Sequence, residues 1–355
     1  MRILVTGGAG FIGSNFVHAL ISQYPEDEVV ILDKLTYAGN LENLASVLPL
    51  KRCSFIQGDI ADRLVVWQAI QGCQAVVNFA AETHVDRSIL SADDFIRTNI
   101  CGTHVLLEAA RRSGIRRFIQ ISTDEVYGNA CSPDGVSRPS KETDALRPMS
   151  PYAATKAGAD TLAYAYWTTY HLPIVITRCG NNYGPYQYPE KQLPLFILNA
   201  LEDRPLPIYG TGTNIRDWIH VSDHAHAILT LLHWESEQIH GEIFNVGASE
   251  ERTILHNAQT VLQVLGKSPD LIRFVSDRQG HVLRHAVDTT RLEQTCSWQP
   301  RIPFAQGIEQ TIQWYQDHPD WIAHIKERNN AFLQQALRLA EAEHPAGLPA
   351  EKQNR

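Results

Sequence analysis

The 355-residue chain is 44% hydrophobic, enough for a real core, and its length suits one large α/β unit with a smaller lobe. A formal charge of −8 and a pI near 6.0 argue against a general binder of nucleic acid or anionic membrane, although a local basic pocket remains compatible with them. No apolar run approaches the ~18 residues of a membrane span, and Met1-Arg2 leads straight into a strand, so neither a span nor a leader is expected.

Short runs rich in β-branched residues predict strands at 3–5, 29–32, 54–57, 75–79, 118–121 and 174–177. Helical-length patterns at 12–23, 62–71, 93–113 and 151–170 separate most of them. This alternation predicts a Rossmann-type, doubly wound parallel sheet with helices on both faces. After about residue 180 the rhythm breaks, and Pro185, Pro189, Pro194, Pro205 and Pro207 punctuate shorter elements. The division expected is a cofactor domain over 1–180, a smaller and mostly C-terminal α/β substrate lobe over 181–330, and a helix with a frayed tail over 331–355. Later segments are free to return to the first sheet. Cys53, Cys73, Cys101, Cys131, Cys179 and Cys296 form no C-x-x-C pair and read as reduced thiols of a cytoplasmic protein.

The first strand runs into Thr6-Gly7-Gly8-Ala9-Gly10-Phe11-Ile12-Gly13, a G-x-x-G-x-x-G turn that opens a helix. Glycines there permit the tight turn, close approach of a pyrophosphate, and close packing of helix on strand. The helix N-terminus then offers unpaired N–H groups and a favourable dipole to phosphate. Asp33 follows Gly13 by twenty residues, at the end of the second strand. A carboxylate there accepts from ribose hydroxyls and repels a 2′-phosphate, so NAD is expected over NADP, with Lys34 pulling weakly the other way. Asp59 and Ile60, after the third strand, are placed to cap adenine or to serve as a helix N-cap.

At the end of the fifth strand stand Ser122-Thr123-Asp124-Glu125, a hydroxyl pair followed by two adjacent carboxylates. Strand ends of this kind are where ligands bind, and adjacent acids raise the cost of ionising each other. Tyr152-Ala153-Ala154-Thr155-Lys156 gives Y-x-x-x-K on a helix, with both side chains on one face. A nearby ammonium stabilises tyrosinate and is expected to bring the phenol down from its ordinary pKa of about 10, yielding a base for a sugar hydroxyl.

These segments, with 33–40, 80–88, 178–185 and 214–218, resemble the extended short-chain dehydrogenase/reductases over residues 1 to about 320, and among them the nucleotide-sugar 4,6-dehydratases. The resemblance implies NAD as cofactor and dTDP-glucose as substrate, with UDP-glucose as the alternative. It implies that Tyr152 deprotonates the 4-hydroxyl, Glu125 removes the C5 proton, Asp124 protonates the departing C6 hydroxyl, and Thr123 bonds the 4-oxygen. Adjacent carboxylates with pKa values pushed apart can supply an acid and a base at once. The implied cofactor contacts are Gly7, Gly10, Phe11, Ile12 and Gly13, then Asp33, Lys34, Leu35 and Thr36, then Asp59 and Ile60. Phe79, Ala80, Ala81, Thr83, Thr98, Tyr152, Lys156 and Asn182 complete that set. The implied substrate contacts are Thr83, Thr123, Asn181, Lys191, Gln192, Pro207, Ile208, Tyr209, Arg216, Glu250, Arg278 and His281, with Lys191 and Arg216 suited to the diphosphate.

The chain departs from the family's usual pattern at Gln192, Glu250, Val282 and His285, in the nucleotide contacts and not in the catalytic set. An epimerase needs Tyr, Lys and a hydroxyl but typically lacks the Asp-Glu pair, and a non-catalytic NAD sensor commonly loses the Tyr-Lys pair. No metal is expected, because Asp223-His224-Ala225-His226 and the His281/His285 pair lack a supporting ligand cluster. The resemblance also implies a homodimer built from the helices at 93–113 and 151–170.

Overall fold

The computed structural model describes residues 1–131, 135–277 and 280–328; Arg278 and the segment 331–355 lie outside them. The chain begins β1 (Arg2–Thr6), α1 (Phe11–Gln23), β2 (Glu28–Asp33), β3 (Cys53–Gln57), α2 (Arg63–Ala69), β4 (Ala75–Asn78) and α3 (Val85–Leu90). The next helical stretch is not uniform: a single turn, α4 (Asp93–Phe95), widens into a π-helix over Ile96–Gly102 and narrows again as α5 (Thr103–Ser113). β5 (Arg117–Thr123) runs into a 3₁₀ turn, Asp124–Tyr127, and α6 (Pro151–Tyr170) precedes β6 (Ile174–Cys179).

The second half contributes β7 (Asn181–Tyr183), α7 (Gln192–Leu201), β8 (Leu206–Tyr209), β9 (Ile215–His220), α8 (Val221–His233) and β10 (Ile243–Val246). It continues with β11 (Glu251–Thr253), α9 (Ile254–Leu265), β12 (Ile272–Val275), β13 (Arg284–His285), α10 (Thr290–Cys296) and α11 (Phe304–Asp317).

The main sheet has seven strands in the order β10-β6-β5-β4-β1-β2-β3, and every pairing is parallel. β5 and β6 are buried along their whole length, as strands covered on both faces must be. One face packs Phe16, Val17 and Leu20 of α1 against Ile228, Leu229 and Leu232 of α8. The other packs Val66 of α2, Leu106 and Ala110 of α5, and Ala163 and Tyr166 of α6. Strand order reverses between β1 and β4, which opens a crevice at the carboxyl ends of the strands.

The main sheet therefore recruits β10 and α8 from beyond residue 180. The remaining second-half strands form a β11-β9-β13 sheet with β7 on β9, and a separate β8-β12 pair. Their core is aromatic, with Tyr183, Phe196, Trp218, Phe304 and Tyr315. The widened segment has a local use: Asn99 donates to Thr155 Oγ1 of α6 at 2.9 Å and exchanges hydrogen bonds with the Glu82 backbone. It thereby joins the loop after β4 to the helix bearing Tyr152, in keeping with the placement of π-bulges beside functional sites.

Candidate active site

β1, β4, β5 and β6 all end at one solvent-open cleft of about 1610 Å³. Its first wall is the glycine turn. Gly7 has φ +68°, and a Cβ there would stand 2.6 Å from the Ala80 nitrogen; one on Gly13 would stand 2.3 Å from the Gly7 carbonyl oxygen. A side chain at Gly7 would push the turn off the end of β4, and one at Gly13 would push α1 off the turn. The turn leads into α1 behind Gly10, which supplies no side-chain cap. A backbone cradle at a helix N-terminus, beside a carboxylate at the end of β2, fits a dinucleotide pyrophosphate and ribose.

Asp33 is buried, which raises its carboxyl pKa against the pull of two backbone N–H groups, Leu35 at 2.8 Å and Ala9 at 2.9 Å. Leu35 itself adopts φ +56° behind this bond and does not line the cleft, whereas Lys34 and Thr36 do. Asp59 accepts from the Ala61 N–H at 2.9 Å and meets Lys34 at 3.0 Å and Arg97 at 3.5 Å. Burial raises its pKa, but these partners outweigh it and leave the carboxylate below its ordinary value. The N-cap of α2 is Asp62, not Asp59.

The opposite wall carries the side chains expected to react. Ser150 caps α6 by accepting from the Ala153 N–H, and Pro151 follows at the first helical position, so Tyr152 enters in the first turn. The Tyr152 N–H donates to Ser88 Oγ at 3.2 Å, docking α6 on α3. Thr123 donates to Asp124 Oδ1 at 3.3 Å and accepts from the Glu125 N–H at 3.3 Å, capping the 3₁₀ turn. Asp124 is 3% exposed; burial, then the Glu125 charge, push its carboxyl well above the ordinary range, against Arg216. Of the two adjacent acids, Asp124 is the one whose surroundings favour the protonated form.

The expected lowering of Tyr152 by Lys156 is corrected by the structure. Burial, then Glu125, raise the phenol well above its ordinary value, and only a hydrogen bond with Thr123 opposes them strongly. Lys156 Nζ instead donates to the Ile121 carbonyl. Burial lowers its pKa to about 8 while Asp160 pulls it up. A buried ammonium one turn from a phenol is in position to favour tyrosinate, but the buried acids beside the ring outweigh it here.

Of the remaining expected cofactor residues, Phe11, Ile12, Ile60, Phe79, Ala80, Ala81, Thr83, Thr98 and Asn182 line the cleft. Asn182 is internally committed: it donates to Cys179 Sγ and the Gly180 carbonyl, and its Oδ1 meets His224 Nδ1 at 2.9 Å. Among the expected substrate residues, Asn181 and Lys191 line the cleft, the latter donating to the Thr83 carbonyl at 3.0 Å.

Thr83 and Thr123 line the cleft too, whereas Gln192, Pro207, Ile208, Tyr209, Arg216, Glu250 and His281 are not among its lining residues. Arg216 joins Glu125, Ser150 and His285 around a second, smaller cavity. Gln192 starts α7 behind Lys191. Ile208 is fully buried in the smaller lobe's core, while Tyr209 on the same strand is exposed. Glu250 accepts from the Phe304 N–H at 3.3 Å, and His281 meets Asp277 at 2.6 Å.

Several further residues in or near the cleft are given no role by the sequence, although Glu82 and Arg87 lie within the segment 80–88. Glu82 and Glu190 face the opening, and Arg87 pairs with Glu190 at 3.1 Å while stacking on Tyr37. Asp160, paired with Arg178 beneath the catalytic wall, has one available signal: it follows Lys156 by four residues, on the same helix face. Among the described residues no group of three or more His, Cys, Asp or Glu could hold a metal. Asp223 caps the Arg301 and Ile302 N–H groups instead.

The parallel sheet, glycine cradle and Tyr-Lys helix define an extended short-chain dehydrogenase/reductase. The chain belongs to the GDP-mannose 4,6 dehydratase family, whose model matches residues 4–311. It is 48% identical over 336 residues to a dTDP-glucose 4,6-dehydratase of Streptomyces niveus, covering 93% of this chain and 97% of that protein. An Escherichia coli dTDP-glucose 4,6-dehydratase is 43% identical, over 93% of this chain and 98% of its own length. The structure of the Streptomyces venezuelae dTDP-glucose 4,6-dehydratase with NAD superposes with a TM-score of 0.86 at 45% identity, covering 90% of this chain and 98% of that one. A Thermus thermophilus UDP-glucose 4-epimerase with NAD follows at a TM-score of 0.80 and 32% identity, covering 90% and 100%.

Proposed function

We propose that the chain converts dTDP-glucose to dTDP-4-keto-6-deoxyglucose and water. The observation that carries this reading is the juxtaposition, on one cleft wall, of Tyr152 with two adjacent acids, Asp124, whose carboxyl pKa is raised by burial, and Glu125. An epimerase has no use for that pair. Bound in the glycine cradle, NAD supplies a hydride acceptor at C4 and a hydride donor at C6, so it is unchanged over a turnover.

Ionised Tyr152 takes the proton of the 4-hydroxyl while Thr123 holds the 4-oxygen. The Lys156 charge, the Thr123 hydroxyl and the positive ring of bound NAD would favour that ionised form against the burial that raises the phenol. The 4-ketone acidifies C5–H, which Glu125 removes. Asp124 gives its proton to the C6 hydroxyl as the C5–C6 double bond forms, so water leaves. Proton transfers by positioned groups of this kind contribute ~10²–10⁴-fold each. Lys191 and Arg216 suit the diphosphate as charge-assisted donors. We assign the cofactor to residues 1–180, with β10 and α8 returning to that body, and the nucleotide to the lobe over 181–330.

The test is incubation with dTDP-glucose and with UDP-glucose, followed by the alkali-induced absorbance of the 4-keto product. Product from dTDP-glucose is expected; product from neither sugar sinks the dehydratase reading, and preference for UDP-glucose moves the carrier assignment. The same reading makes the protein a homodimer through 93–113 and 151–170, where Ile96 and Tyr164 are exposed. Light scattering of the purified chain checks this. Six free cysteines suit the cytoplasm, which fractionation checks.

A further inference from the structure

Behind Tyr152 and Lys156 lies a buried ion pair to which the reaction scheme gives no part. Asp160 stands one helical turn beyond Lys156 on α6 and is 1% exposed. Arg178 stands on β6 opposite Ser122 of β5. Its Nε donates to Asp160 Oδ2 at 3.0 Å and its Nη1 to the Tyr127 hydroxyl at 2.9 Å. That hydroxyl donates to Asn245 Oδ1 on β10 at 2.8 Å. One oxygen of Asp160 is therefore tied to a network reaching across β6 and β10. The other, Oδ1, is buried and accepts no hydrogen bond; the Ser122 hydroxyl approaches without closing one.

Lys156 shows the complementary imbalance. Its ammonium carries three donors, and its hydrogen bond goes to the Ile121 carbonyl. A single carbonyl does not compensate a buried charge. A buried ammonium short of acceptors and a buried carboxylate with a spare acceptor thus share one helix face.

We propose that Asp160 is a positioning residue for the reaction: from one helical turn away and without an ion-pair contact, its carboxylate favours the charged form of Lys156 beneath Tyr152, and Arg178 in turn favours the ionised form of Asp160. This rests on the reading of Tyr152 and Lys156 given above. Burial favours the neutral amine, Asp160 opposes it, and the balance leaves Lys156 near 8, close to working pH. Burial likewise raises Asp160, which Arg178 and then Lys156 pull down. Arg178 and Tyr127 are the other titratable groups facing Asp160. Asp124 and Glu125 act on Tyr152, and Glu108 of α5 bonds Tyr166 further along the helix. The Asp160 charge also raises the Tyr152 phenol weakly, so its benefit runs through Lys156 and must exceed this direct effect. On α3, Arg87 is turned to Glu190.

The experiment is the pH profile of kcat/KM for dTDP-glucose. In Asp160→Asn the alkaline limb should move down by about one unit, ~10-fold lost at high pH with little change near pH 6.5. Asp160→Glu should restore it. If Asp160→Asn does not fold with Arg178 orphaned, Asp160→Asn/Arg178→Met removes both charges and carries the same expectation. A folded, active variant with an unmoved limb overturns the proposal. Wild type that makes no keto product overturns the reaction reading instead, and the amine is then read from unfolding. A lysine lowered from about 10.5 to 8 makes stability rise with pH across that window, and the double variant should start that rise lower. An unchanged onset overturns the proposal without any substrate.

Discussion

Asp124 and Glu125 are neighbours in sequence yet face different surroundings. Asp124 is enclosed, 3% exposed, with its Oδ1 bonded to Thr123, while Glu125 borders both the main cleft and the smaller cavity that holds Arg216. Burial and the Glu125 charge raise the first carboxyl well above the ordinary range, which favours its protonated form. Two acids joined by one peptide bond thereby sit in unlike surroundings, as a site needing both an acid and a base requires.

The pair should therefore separate on substitution. Glu125→Gln should cut formation of the 4-keto-6-deoxy sugar by ~10²–10⁴-fold yet still permit the first oxidation, seen as cofactor reduction on adding substrate. Asp124→Asn should also slow product formation while sparing that absorbance. Equal loss of both signals in Glu125→Gln would contradict its role at C5.

Gly13→Ala should weaken NAD binding by at least about tenfold, measured by calorimetric titration. The new Cβ would lie 2.3 Å from the Gly7 carbonyl oxygen, so the turn must open, and displacing a constrained backbone costs roughly 1–3 kcal/mol. Unchanged affinity would mean that the cradle does not hold the pyrophosphate.

Features set by local spacing are legible in the amino-acid order itself. The glycine turn, the Y-x-x-x-K helix and the six leading strands are patterns within a few residues of each other, and propensity and periodicity report them. Pairings across the fold are not legible in this way. β10 joins β6 from more than sixty residues away, and Asp160 meets Arg178 because β5 and β6 place Ser122 opposite it. The widening of 93–113 at Ile96–Gly102 leaves no mark in apolar spacing. The electrostatics of Tyr152 escape local spacing for a related reason: the i, i+4 rule sees Lys156 but not the burial and the acidic neighbours brought by β5.

Acid should destabilise the fold through buried neutral histidines. Burial lowers His220 to about 4 and His224 to about 3, from an ordinary 6.5. A histidine lowered in the folded state contributes stability that is present above pH 6.5 and lost as pH falls toward the folded value. For His220 the loss is roughly 3 kcal/mol across that window. Asp217, raised by burial to about 6, works in the opposite sense, so the useful quantity is the difference between His220→Gln and wild type. Chemical unfolding at several pH values from 7 to 4.5 should show a shallower decline in the variant. Parallel curves would mean that His220 is not the group taking up the proton.

Thr123 offers the sharpest separation of positioning from binding. Its hydroxyl accepts from the Glu125 N–H and donates its one proton to Asp124, and the same proton turned to Tyr152 favours the ionised phenol. Thr123→Val keeps the shape and removes all three interactions, leaving the Glu125 N–H without its acceptor at the start of the 3₁₀ turn. Because these contacts bear on reacting groups and not on the nucleotide, kcat should fall by ~10–100-fold while KM changes little. Thr123→Ser, which restores the hydroxyl, should recover most of the rate. Steady-state kinetics on dTDP-glucose decide it: a rise in KM with kcat intact would place Thr123 in substrate binding alone, and failure of the serine variant to recover would trace the loss to packing of the methyl group.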